Sequence, residues 1–172
     1  MAETSITDFI EAAESVGVRL EMVGGAPYWE AMPGRRHHDA LMAIRDSFVG
    51  SRLSTPGCGG FAYVELLIRF PEGSFKTPDL SIFCERPSEP EGAVTAVPEA
   101  VVEIINPGYE RKDLEIGPPF YLAQGVKDVL VVDPRSRSVV QFVGSGRREH
   151  VAPVSIVLSC GCKIDLPAPE SD

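Results

Sequence analysis

Two short stretches place a carboxylate where apolar strand residues would otherwise run. In Thr77-Pro78-Asp79-Leu80-Ser81-Ile82-Phe83 the acid follows a proline at the mouth of an apolar segment. In Ala100-Val101-Val102-Glu103-Ile104-Ile105-Asn106-Pro107 it interrupts a run of Val and Ile. Pro78 holds the chain extended without donating to a ladder, and Asp is a poor strand residue, so both placements want a cause. A carboxylate in a low-dielectric interior costs several kcal/mol unless it is paired, metal-bound or neutralised. If the two strands are neighbours, Asp79 and Glu103 converge from adjacent positions. Two hard oxygen ligands beside the Ile104 carbonyl suit Mg²⁺ or Mn²⁺, and a bound ion would let Glu103 stay ionised. Each acid alone has a plainer explanation. Asp79 can end a turn by bonding its own backbone, and Glu103 can lie at a solvated edge or pair with Arg111 or Lys112.

The elements that must position these acids follow from periodicity and turn chemistry. Ile6, Phe9, Ile10 and Ala13 predict a helix over 4–16, capped by Thr4 or Ser5. Residues 18–33 read as a hairpin turning at Gly24-Gly25, and Leu41, Ile44 and Phe48 mark one face of a helix over 37–50. After a Pro/Gly-rich loop at 54–60 come strands over 61–70 and 77–85, then a polar loop over 86–99. Strand 100–105 leads through loop 106–113 to a short helix near 118–124, ended by Gly125, and to strand 126–133. Segments 136–144 and 154–166 read as closing strands. A helix between two apolar strands implies a crossover and parallel pairing, while the hairpins are antiparallel. The expectation is one mixed α/β domain over 1–166, with a flexible tail at 167–172.

Composition narrows the chemistry. The 172 residues, 44% hydrophobic, suffice for a single sizeable core. With 25 Asp and Glu against 16 Lys and Arg, the net charge of −9 opposes general affinity for phosphate backbones, so nucleic-acid binding needs a local basic patch or divalent cations. Arg35-Arg36-His37-His38 is one such patch, equally readable as an exposed helix start. No apolar run reaches the roughly 20 residues of a membrane span, and the acidic N-terminus lacks a signal peptide's layout. Cys58, Cys84, Cys160 and Cys162 form no CxxC pair, which favours reduced structural thiols over zinc and a cytoplasmic location.

The order Pro78-Asp79, then Val101-Val102-Glu103-Ile104-Ile105-Asn106-Pro107, resembles the PD-(D/E)XK nuclease superfamily, and more closely the Uma-type family of restriction-endonuclease-like proteins. Arg19-Leu20-Glu21-Met22-Val23-Gly24-Gly25 is similar to that family's early hairpin, and His37 or His38 stands where a His opens the next helix. Asp113, Tyr121, Gly125-Val126 and Val131-Val132-Asp133-Pro134 match in order and spacing, so the resemblance spans roughly 17–142. It implies a restriction-endonuclease-like mixed sheet flanked by helices. It also implies metal-assisted phosphodiester hydrolysis of nucleic acid, DNA above all, with Asp79 and Glu103 holding Mg²⁺ or Mn²⁺ and Glu21 supporting them.

The sequence departs from the pattern at the lysine that orients the nucleophile or stabilises developing charge. The superfamily's lysine position is Ile105 here. The Uma-type alternative, four residues before the tyrosine, is Gly117, followed by Pro118-Pro119, which suit only the first turn of a helix. Lys112, in the loop before that helix, is the nearest substitute; Lys76 is expected to face away from Asp79 along an extended strand. The leading expectation is a metal-dependent endonuclease with Asp79, Glu103 and Lys112 as catalytic residues, in a chain able to form a homodimer. The alternative is a degenerate nuclease fold that binds a partner without catalysis.

Overall fold

The structure, a computed structural model, describes residues 5–52 and 60–168, without the side chains of 49–52. The predicted cap at Thr4, most of the 54–60 loop with Cys58, and the end of the tail lie outside these residues. Helix α1 (Ile6–Ser15) starts at Ser5, whose hydroxyl accepts from the Asp8 N–H while Asp8 accepts from the Ser5 N–H, a reciprocal cap. Strands β1 (Val18–Val23) and β2 (Ala26–Ala31) form the hairpin expected at Gly24-Gly25, where both glycines have φ values near those of a type I′ turn, 57° and 79°. Helix α2 (Arg35–Arg52) follows.

Residues 61–70 do not form one strand. β3 (Phe61–Val64) and β4 (Ile68–Arg69) are separated at Glu65, which adopts a left-handed φ of 49°. β5 (Phe75–Lys76) and β6 (Leu80–Phe83) likewise belong to different sheets, with Thr77-Pro78-Asp79 passing between them. β7 (Ala100–Ile104) is linked to the parallel strand β8 (Asp128–Val132) through a π-helical turn (Lys112–Ile116) and helix α3 (Gly117–Ala123). The crossover is as expected, but helical backbone begins at Glu110, well before the prolines. β9 (Ser138–Val143) pairs with β10 (Gly146–Val151), a charged, exposed strand that periodicity does not reveal. The last predicted strand is a hairpin, β11 (Val154–Val157) with β12 (Lys163–Leu166).

A six-stranded sheet runs β10-β9-β8-β7-β6-β3, and a four-stranded sheet runs β2-β1-β5-β4. The period-2 alternation of β7 and β8 divides the core. Val102, Ile104 and Leu130 pack with Leu41, Ile44 and Phe48 of α2 and with the β11–β12 hairpin. Val101, Val129 and Val131 face Tyr121 of α3 and Phe70 on the other side. Glu103 shares the parity of Val101, so it points to the Tyr121 face.

Cys84 and Cys160 are free thiols, whereas Cys162 is disulfide-bonded, so the expectation of reduced thiols fails at that position. Among the described residues, no helix is long and apolar enough to cross a membrane.

Candidate active site

Strand register brings the acids together. Leu80 pairs with Val102 and Ser81 with Val101, so Asp79, one residue further, falls beside Glu103. The Asp79 N–H donates to Glu103 Oε2 at 3.3 Å, and the Ile104 N–H donates to Asp79 Oδ2 at 2.7 Å. In the other sheet Met22 pairs with Phe75, which sets Glu21 beside Lys76, and Arg19 pairs with Glu30 across the hairpin. Arg19, Glu21, Glu30, Lys76, Asp79 and Glu103 are all buried, as are His37 at the start of α2 and Asp113 in the π-helical turn.

The cations meet the acids in specific pairs. Lys76 Nζ donates to Glu21 Oε2 at 2.7 Å and lies 4.9 Å from the centre of the Tyr121 ring. Lys112 Nζ donates to Glu30 Oε2 at 2.7 Å and stands 3.3 Å from Glu21 Oε2. Arg19 Nη1 donates to Asp79 Oδ1 at 2.9 Å and reaches Glu30 Oε1 at 3.4 Å, while its Nη2 bonds Glu65. The Tyr121 hydroxyl donates to Glu103 Oε1.

Two placements revise the lysine reading. Lys112 reaches the acids from a helical turn, not from a loop. Lys76, expected to face away, is one of the most buried charges in the protein, because β5 lies in a different sheet from β6 and alternation does not carry across Thr77-Pro78. A Cβ at Gly117 would touch the Tyr121 ring at 3.7 Å, the same ring over which the Lys76 ammonium sits. Arg19, Glu30 and Glu65 are site residues that sequence reading missed; the signal for Arg19 is an arginine alternating with Glu21 around a buried Leu20.

Charge is unevenly distributed over these groups. Six carboxyl groups (Glu21, Glu30, Glu65, Asp79, Glu103 and Asp113) face three permanent cations, Arg19, Lys76 and Lys112. Burial pushes the Glu21 carboxyl up, but Lys76 and Lys112 outweigh it and hold it at about 2. Asp79 is likewise held below its ordinary value despite burial, by His37 and Arg19. Glu103 makes no ion pair: burial, then the neighbouring Asp79 charge, raise it to about 7 against the more distant pull of Lys76 and Lys112. Burial and the Glu103 charge raise Asp113 to about 8, and burial beside Glu103 holds the Tyr121 phenol protonated. Glu21 and Asp79, which meet Lys and Arg directly, are held low, whereas Glu103 and Asp113 are raised into the neutral range.

Among the described residues, no three His, Cys, Asp or Glu side chains stand in a ready-made ligand cage. Glu21 Oε1, Asp79 Oδ2 and both Glu103 oxygens each accept one protein donor, whereas Glu21 Oε2 lies near two ammonium groups and Asp79 Oδ1 near Arg19 and His37; a carboxylate oxygen has capacity for a second partner. The excess of acids, two of them raised for want of positive charge, is what a divalent cation would offset. His37 adds a further donor, since both ring nitrogens are buried without a hydrogen-bond partner. The oxygen and nitrogen donors are of the kind that suits a divalent ion, and Arg19 would have to yield its place on Asp79 Oδ1 for one to bind.

The crystal structure of a putative nuclease of the DUF820 family from Anabaena variabilis is similar to this chain, with a TM-score of 0.69, 19% identity and 83% of each chain covered. That likeness identifies the fold as restriction-endonuclease-like. No curated protein matches the chain. The profile of the Uma2 family, described as "putative restriction endonuclease", matches residues 6–159, and the chain therefore belongs to the Uma2 family.

Proposed function

We propose that the protein is a divalent-metal-dependent endonuclease that hydrolyses phosphodiester bonds, with DNA as substrate. The observation that carries this reading is the meeting of Asp79 and Glu103 across β6 and β7, in a cluster short of positive charge. Asp79 and Glu103 would hold Mg²⁺ or Mn²⁺, with Glu21 supporting them. A divalent ion bound there would supply Lewis acidity towards the phosphate and make its water a better nucleophile. The protein's own groups do the rest. Tyr121 fixes one oxygen of Glu103, and the Ile104 N–H fixes one oxygen of Asp79. Lys76 and Lys112, held on Glu21 and Glu30, bring ammonium charge to where the pentavalent phosphate develops negative charge. Lys76 takes the larger share, because it is the lysine packed over Tyr121 and the one exerting the stronger pull on Glu103.

The test is incubation of plasmid and linear DNA with Mg²⁺ or Mn²⁺, using Glu103→Gln as the control for contaminating nuclease. Cation-dependent cleavage by the unmodified protein, absent from the variant, supports the reading. Lys76→Met should lose cleavage with ion binding retained, and Lys112→Met should lose less. Equal cleavage by all variants removes these assignments.

A second reading has its own observation. Arg19 already lies on Asp79 Oδ1 and is held there by Glu30 and Glu65 as well. In a degenerate fold used for binding alone, that guanidinium would serve as a permanent substitute for the ion. DNA binding that weakens with salt, without cleavage in any divalent ion, decides for this alternative.

A further inference from the structure

His37 is unusual among the buried polar groups. It is the third residue of α2, only 5% exposed, and neither Nδ1 nor Nε2 makes a hydrogen bond. A buried imidazole with both nitrogens unpartnered is costly, and histidines in such positions normally bond a carboxylate, a carbonyl or a water. Its Nε2 lies 3.1 Å from Asp79 Oδ1, near enough to help hold that carboxyl down, yet the angles of approach are not those of a hydrogen bond. Two donor atoms that are close without donating to one another are arranged as neighbouring ligands are. In a six-coordinate ion with bonds of about 2.1–2.2 Å, cis donors stand ~3 Å apart. Arg19 shares the same oxygen but is also held by Glu30 and Glu65, so it keeps two carboxylate partners if Asp79 Oδ1 turns towards an ion.

We propose that His37 contributes an imidazole nitrogen to the divalent-ion site, so that the site takes Mn²⁺ in preference to Mg²⁺. This rests on the reading that Asp79 and Glu103 hold an ion. Mg²⁺ takes oxygen ligands and gives up water reluctantly, whereas imidazole suits first-row transition metals. Carboxylates alone would discriminate little between the two ions. The nitrogen is the group that separates them, and it is fixed by a helix start rather than by a loop.

Calorimetric titration of MnCl₂ and MgCl₂ into the full chain measures the preference, and pulsed EPR of the Mn²⁺-loaded protein reads directly coordinated ¹⁴N. Mn²⁺ should bind tighter by about tenfold or more, with an imidazole nitrogen coupling in the spectrum. His37→Gln and His37→Phe should each remove that coupling and most of the preference, leaving Mg²⁺ affinity within about twofold. The spectrum of the unmodified protein needs no variant, so the proposal remains testable if either substitution fails to fold. Mn²⁺ bound without ¹⁴N coupling, at an affinity the His37 variants share, overturns this inference and leaves the acid site standing. If neither ion binds, both fall.

Discussion

Replacing Glu103 by glutamine should change how stability depends on pH. In the folded protein burial and Asp79 raise the Glu103 carboxyl from an ordinary 4.5 to about 7. A raised carboxyl means that the folded state keeps a proton the unfolded chain has released. Its stabilising contribution is therefore complete below pH 4.5 and is lost as pH rises through 7. At 1.36 kcal/mol per pKa unit, the loss amounts to about 3 kcal/mol by pH 8. Asp113, raised to about 8, acts with the same sign. Glu21 and Asp79 are depressed, so their contributions are already complete above the ordinary carboxyl range and cannot mask the fall. In Glu103→Gln the amide keeps an acceptor for Tyr121 and cannot ionise. Urea unfolding from pH 5 to 8.5, without divalent ions, should show a shallower decline in the variant, with the two curves diverging as pH rises. Parallel curves over that range would mean that Glu103 is ionised throughout, and the account of the charge shortage would be refuted.

Other perturbations have defined outcomes. Lys76→Met leaves Glu21 buried without its closest cation, which should cost about 3 kcal/mol at pH 7 by urea unfolding. Arg19→Met should lower the melting temperature of the ion-free protein yet enlarge the melting shift given by Mn²⁺, since the competing guanidinium is gone from Asp79. Far from the site, Asp128 is buried and accepts from Gln141 Nε2 at 3.0 Å and from the Ser159 N–H at 2.7 Å. Asp128→Ala should destabilise by about 2 kcal/mol with divalent-ion binding unchanged.

The parts of the fold legible in sequence are those where one local rule governs. Gly24-Gly25 announces its hairpin, Ser5 and the following apolar spacing announce α1, and the apolar strands around α3 announce the parallel pair. Asp79 and Glu103 could be picked out because a charge in an apolar run needs an external cause. Lys76 could not be placed, because its orientation depends on where the chain changes sheet, and two intervening residues erase the alternation. β10 escaped notice for the opposite reason. Gly-Arg-Arg-Glu-His-Val is an exposed edge strand, held by pairing to β9 rather than by an apolar face. Lys112 reads as loop-borne because Pro118 and Pro119 mark the first turn of a helix, yet the backbone is already helical from Glu110 and the prolines open α3 behind the π-helical turn. Arg19 was invisible as a site residue because its three acidic partners come from three other segments.

That Asp79 and Glu103, in a cluster where Glu103 and Asp113 are raised for want of positive charge, form the seat of a divalent ion is the claim on which the rest depends. It is tested most directly by titrating Mn²⁺ into the ion-free protein at pH 6 in two buffers of different ionisation enthalpy. One ion should bind per chain, with roughly one or more protons released on binding, and Asp79→Asn should lose both the heat and the proton release. Binding with no proton release, or heat unchanged in Asp79→Asn, would contradict it.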